Sequence, residues 1–255
     1  MKIMVCGKGG SGKTALTVLM SRVLTGKYRV YIVDSDESNI LLPKLLGVNP
    51  PTPLIEYIGG KMDESELEKR ELDVARILAR TGSGVKLKLL PDKYISYSEE
   101  KIGLVTIGKV REYGEGCACP FNILTRIVLK NLVLEDNEIV LVDTDAGIEH
   151  VGRRVEEAVD CIVIVVDPTA ESLQSAVLLR EVASKLGKSY WIIANKITPR
   201  VWAIIKREAE KLKVKIDGVV RFDDDLYESI LLGERLKTTV ALEDVERILK
   251  TMMLI

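Results

Sequence analysis

The octet Gly7-Lys8-Gly9-Gly10-Ser11-Gly12-Lys13-Thr14 constrains this chain more than any other stretch. Gly7, Gly12, Lys13 and Thr14 meet the phosphate-loop spacing of Gly, four residues, then Gly-Lys-Ser/Thr. Backbone N–H groups must curl around phosphate oxygens in such a loop, through dihedrals that suit glycine. Gly9, Gly10 and Gly12 supply that freedom around Ser11. Lys13 is expected to reach the β- and γ-phosphates of a nucleotide, and the Thr14 hydroxyl to ligate Mg²⁺. The loop needs a strand before it and a helix N-terminus after it. Lys2 to Cys6 reads as the strand, and Ala15, Leu16, Leu19, Val23 and Leu24 recur at helical spacing behind the loop. The expected fold class is α/β, a mostly parallel sheet with helices on both faces and its ligand at the carboxyl ends of the strands.

The chain's 255 residues suit one such domain, residues 1–255, and 47% hydrophobic content is ample for a sheet buried on both sides. A formal charge of -1 gives no overall pull toward nucleic acid. No stretch approaches the roughly 18 apolar residues of a membrane span, and Met1 to Cys6 is too short for a signal peptide. The expectation is a cytoplasmic protein with neither a nucleic-acid nor a membrane partner.

Arg29 to Val33 reads as a second strand, delivering Asp34 and Asp36 to its carboxyl end. A carboxylate there can hold a water in line with the γ-phosphate, the segment Asp34 to Asn39 can cap a helix over Ile40 to Leu46, and it can do both. From Asn49 the composition shifts toward proline and turn residues, opening an insertion over about 50–120. Within it we expect one amphipathic helix over Glu64 to Arg80, with Leu67, Leu72, Val74, Ile77 and Leu78 as its apolar residues. A short strand over Val85 to Leu90 and a sheet strand over Ile102 to Ile107 are also expected, while Pro91 to Lys101 carries no clear signal.

The insertion ends in Gly116-Cys117-Ala118-Cys119-Pro120, followed by a helix from Phe121 to about Val133. One residue between two cysteines lets both thiolates face one metal ion, and a helix N-terminus favours the thiolate. Two sulfurs fall short of the four ligands usual for structural Zn²⁺, and the only histidine is His150. A two-fold dimer resolves the shortage by bringing two pairs together. A redox-active disulfide and two plain turn cysteines remain open for Cys117 and Cys119. Cys6 and Cys161 stand in apolar strands and read as small buried hydrophobes.

Glu138 to Val142 is a further strand, ending in Asp143-Thr144-Asp145-Ala146-Gly147-Ile148-Glu149-His150. Cys161 to Val166 and Ser189 to Ala194 follow as strands, the first leading to a helix capped by Asp167-Pro168-Thr169 and running to about Leu186. The terminal stripe Leu242, Val245, Ile248, Leu249, Met252 and Met253 has a mixed-sign opposite face, which favours packing on the domain over a membrane.

The second lysine of the loop, Lys8, resembles the deviant Walker A motif of the P-loop ATPases that include MinD, ParA and the nitrogenase iron protein. Asp-x-Asp-Ala-Gly-x-Glu-His with Cys-x-Cys upstream looks like the CooC-type ATPases of nickel insertion into carbon monoxide dehydrogenase, with Asp145 where that pattern has glutamate. The resemblance implies an ATP-dependent homodimer in which Lys8 reaches the partner's nucleotide. It further implies that Asp34 to Asn39 is switch I, in which Asp36 orients or activates the attacking water, that Asp34 and Asp143 support Mg²⁺, and that Gly147 senses the γ-phosphate. The segment Asn195-Lys196 would lie at the base. GTPases of related architecture carry an aspartate where Thr198 stands, so adenine is favoured, with Arg221 and Asp223 on the second base loop. The metal at the paired Cys117 and Cys119 would be Ni or Zn, and the client a nickel enzyme. A MinD/ParA-like organising ATPase, an iron–sulfur ATPase and a non-enzymatic, nucleotide-gated metal store stand as alternatives.

Overall fold

The structure, a computed structural model, describes residues 1–60, 62–79, 82, 84–109, 119–145 and 155–255, with residue 119 described in its backbone alone. In chain order the elements are β1 (Lys2–Gly7), α1 (Lys13–Leu24), β2 (Arg29–Asp34), α2 (Leu42–Leu46), α3 (Leu54–Tyr57), α4 (Glu64–Lys69) and α5 (Glu71–Ala79). Next come β3 (Ser96–Tyr97), β4 (Gly103–Thr106), α6 (Cys119–Asn131), β5 (Glu138–Asp143), β6 (Cys161–Val166) and α7 (Ala170–Lys185). The chain closes with β7 (Ser189–Ile197), α8 (Pro199–Lys211), β8 (Gly218–Arg221), α9 (Asp224–Leu232) and α10 (Ala241–Thr251).

The strands form one sheet in the order β3-β4-β2-β5-β1-β6-β7-β8, parallel throughout except for the β3–β4 edge pair. Successive strand residues send side chains to opposite faces. Ile3, Val5, Ile32, Leu141 and Val163 therefore pack with α1, α2 and α10, whereas Met4, Cys6, Val33, Val142 and Ile164 pack with α5, α6, α7 and α8. Both faces are covered, as an α/β parallel sheet requires. β1 lies centrally between β5 and β6, so its carboxyl end opens where the chain's connections diverge to either side. Ligands of open α/β sheets bind at such a point.

The expected helix over Glu64 to Arg80 is two helices. Asp63 caps α4 by accepting from Glu66 N–H at 2.8 Å, and the chain turns at Arg70 (φ -101°, ψ 14°) before α5. The turn leaves Leu67, Val74 and Leu78 buried beside α6 while Leu72 faces outward, 73% exposed. Val85 to Leu90 is not a strand: Val85 makes one bridge to Leu132, and a 3-10 turn follows at Leu87–Leu89, ahead of Pro91. Pro91 to Lys101, without a sequence signal, contributes the short antiparallel edge β3.

Cys6 and Cys161 are free and buried, and burial pushes their thiols up to about 12 and about 11. Val245, Ile248 and Leu249 of α10 are buried in the core shared with α1, although Met253 is 85% exposed. Among the described residues no helix is long and apolar enough to cross a membrane.

Candidate nucleotide site

The loop between β1 and α1 owes its course to two glycines. Gly12 has φ 97°, and a Cβ there would stand 2.2 Å from Asn195 Nδ2; Gly7 has φ 143°, and a Cβ would meet the Val165 carbonyl oxygen at 2.3 Å. Either substitution collides with the loop's support as well as straining its backbone. Gly9 and Gly10 form the exposed rim, whereas Ser11 and Lys13 are buried. The Lys13 ammonium donates to the Lys8 carbonyl at 3.3 Å, folding back over the loop in the direction of a bound phosphate.

Two buried carboxylates stand at neighbouring strand ends, and one of them faces the start of α1. Asp143, at the end of β5, accepts from Thr14 Oγ1 at 2.8 Å and from Thr17 Oγ1 at 3.3 Å. Burial pushes its pKa up to about 6, against the pull of the Thr14 hydrogen bond and Lys13. Asp34, beside it at the end of β2, is raised by burial to about 7 although Lys109 opposes the rise. Parallel pairing of β2 with β5 aligns Asp34 with Asp143, so two carboxylates share one low-dielectric wall. A hydroxyl and buried carboxylates are the oxygen donor set that Mg²⁺ favours, and the residues present fit that ion.

Asn39 was legible in the sequence only as part of the switch I pattern. Its amide donates to Thr14 Oγ1 at 2.9 Å and to Asp143 at 3.4 Å, while its side-chain oxygen accepts from Leu41 and Leu42 N–H at the start of α2. The segment therefore caps a helix and lines the site at once. Asp36 Oδ1 is taken up locally, accepting from Ser38 N–H at 2.9 Å, Ser38 Oγ at 2.6 Å and Asn39 N–H at 3.2 Å.

The residues expected at the base are engaged within the protein. Asn195 Nδ2 donates to the Ser11 carbonyl at 2.9 Å, and Lys196 Nζ to the Gly10 carbonyl at 2.6 Å, so both brace the loop's outer strand of backbone. Arg221 pairs with Asp244 of α10, Nε to Oδ2 at 2.8 Å. Asp223 caps α9 through Leu226 N–H and also accepts from Thr238 Oγ1 and the N–H groups of Thr239, Val240 and Ala241. Burial alone would raise it, but those hydrogen bonds hold it down to about 2. A sequence cannot announce such partners, because they come from elements far along the chain.

Lys8 sits at the loop's edge, its ammonium 2.8 Å from the Glu171 carboxylate in the first turn of α7. Cys117 and Gly147 lie outside the described residues, as does the side chain of Cys119. Among the described residues no three His, Cys, Asp or Glu side chains gather into a metal cage.

Strand, loop and helix with the Asp143 carboxylate behind Thr14 define a P-loop nucleotide-binding protein. The CobQ/CobB/MinD/ParA nucleotide binding domain matches residues 2–236, and the chain belongs to that family as a P-loop ATPase. It is similar to an uncharacterized ATP-binding protein of Methanocaldococcus jannaschii, 38% identical over 251 residues, 98% of this chain and 99% of the relative. It is also similar to the carbon monoxide dehydrogenase accessory protein CooC of Rhodospirillum rubrum, 33% identical over 217 residues, 79% of this chain and 76% of the relative. In fold it resembles the septum site-determining protein MinD of Pyrococcus horikoshii complexed with Mg-ADP, with a TM-score of 0.65, 17% identity and coverage of 97% and 93% of the two chains.

Proposed function

We propose that the protein is an ATP-driven metallochaperone, a homodimer that holds its cargo metal on Cys117 and Cys119 and delivers it to a nickel enzyme. The observation that carries this reading is the bond between Ser35 Oγ and Thr125 Oγ1, 2.8 Å long. It fastens the switch I segment to α6, the helix that begins at Cys119. The likeness to the carbon monoxide dehydrogenase accessory protein supports nickel as the cargo and carbon monoxide dehydrogenase as the client.

ATP enters at the carboxyl end of β1, its phosphates wrapped by the backbone of Gly9 to Thr14 and countered by Lys13. Thr14, Asp143 and Asp34 would hold Mg²⁺, which when bound neutralises charge on the phosphates. Asp36 holds the attacking water in line with the γ-phosphorus. The water oxygen bonds to phosphorus, the bond to the β–γ bridging oxygen breaks, and Asp36 accepts the water proton late, because positioning dominates phosphoryl transfer. Lys8 leaves Glu171 to reach the partner's nucleotide, so ATP closes the dimer and joins the two cysteine pairs. Coupling between nucleotide and metal is then reciprocal at equilibrium.

Steady-state hydrolysis with and without Ni²⁺ tests the reading. A metallochaperone turns ATP over at a rate that bound metal changes; absence of turnover in both conditions would instead mark a nucleotide-gated metal store.

A further inference from the structure

Lys109 follows β4, and its side chain turns back into the site. The side chain is 15% exposed, and its ammonium lies 2.7 Å from the Asp34 Oδ2 atom. It also donates to the carbonyls of Asp36 and Asn39, each at 2.5 Å. Two carbonyls thus accept from the ammonium and one buried carboxylate faces it as an ion-pair partner, all three from the segment Asp34 to Asn39.

The grip falls on the residues that matter for the phosphate site. Asp36 is the carboxylate assigned to the attacking water, and Asn39 sends its amide to Thr14 and Asp143. Lys109 holds the backbone of both. The lysine is itself held from behind: Ile107 N–H donates to the Asp34 carbonyl at 3.0 Å, and a Cβ on Gly108 would stand 2.2 Å from the Phe121 ring. The strand end and switch I thus meet at one cation, and the preceding Gly108 packs on Phe121 of α6. The phosphate loop supplies its own lysine, so this second ammonium is not needed to bind phosphate. Its partners are backbone carbonyls and a fully buried carboxylate, which fixes shape.

We propose that Lys109 is a positioning residue for ATP hydrolysis, the cation that sets the switch I backbone so that Asp36 meets the attacking water. The proposal rests on the reading of Asp36 given above. Misplacement of a catalytic group by about 1 Å is enough to lower a rate by roughly a hundredfold, so loss of the clamp acts on turnover more than on binding.

The test compares Lys109→Met, Lys109→Arg and Asp36→Asn with the wild type in the full-length protein, reading kcat and KM for ATP, ADP affinity and the thermal midpoint. The expected result for Lys109→Met is a fall in kcat of at least about tenfold with ADP affinity within about threefold, and partial recovery of kcat in Lys109→Arg. A wild-type kcat in Lys109→Met beside an inactive Asp36→Asn overturns the role of Lys109 and leaves Asp36 standing. A wild-type kcat in Asp36→Asn overturns both. Equal losses of kcat and ADP affinity that follow a lowered thermal midpoint also overturn it, since a merely structural lysine behaves that way. Should Lys109→Met fail to fold, Lys109→Gln keeps the stem and an amide donor and is held to the same outcomes.

Discussion

The Lys8 ammonium stands 2.8 Å from the Glu171 carboxylate. Glu171 raises the pKa of Lys8, yet the glutamate is 73% exposed in its side chain, and ion pairs in such surroundings are held loosely. The lysine is therefore parked on a weak partner that it can leave. Lys8→Ala is expected to abolish ATP-dependent dimerisation while leaving ADP binding, and Glu171→Gln to dimerise at least as readily as the wild type. Mass measured by light scattering with a non-hydrolysable ATP analogue decides this; normal dimerisation of Lys8→Ala contradicts the role given to Lys8.

Asp223 joins the α9 cap to the N-terminal turn of α10, and its substitution strands several N–H groups at once. Asp223→Ala is expected to lose roughly 2–4 kcal/mol of stability in denaturant unfolding. Its folded pKa of about 2 lies below the unfolded value of 3.8, so the stabilisation is full above pH 4 and is lost as pH falls through 2. A wild-type midpoint at pH 7 in the alanine variant contradicts this account.

Asp143 behaves in the opposite sense. Its folded pKa of about 6 exceeds the unfolded value of 3.8, so the native state binds the proton more tightly and the free protein loses stability as pH rises from about 4 to 6. In nucleotide-free, Mg²⁺-free protein, Asp143→Asn is expected to raise the thermal midpoint at pH 8 more than at pH 4, and to lose ATP hydrolysis. A variant that gains equally at both pH values speaks against the buried charge as the cause.

What was legible in the sequence was local. The run from Lys2 through Thr14 specifies strand, loop and helix by consecutive residues, and Asp34 and Asp143 each close an apolar strand, so the sheet, the loop and its carboxylates could be read directly. Thr169 was expected to cap a helix, and it does so by accepting from Ser172 N–H. The break at Arg70 was hidden because the apolar residues on both sides keep helical spacing; only packing against α6 shows where the chain turns. Asn195, Lys196, Arg221 and Asp223 have partners chosen by tertiary structure, and nothing nearby in sequence names Ser11, Gly10, Asp244 or Thr239. Lys109 had no signal for the same reason. A lysine after a strand is ordinary until Asp34, Asp36 and Asn39 are folded around it.

In the proposed cycle ATP controls a metal site built from Cys117 and Cys119 of two protomers. The most direct measurement is Ni²⁺ titration of the wild type and of the Cys117→Ser/Cys119→Ser variant, with ADP and with a non-hydrolysable ATP analogue, while molecular mass is followed. One metal ion per dimer, bound with different affinity in the two nucleotide states and absent from the double variant, is the predicted result. Unchanged metal binding in the double variant, or one affinity in both nucleotide states, would contradict it.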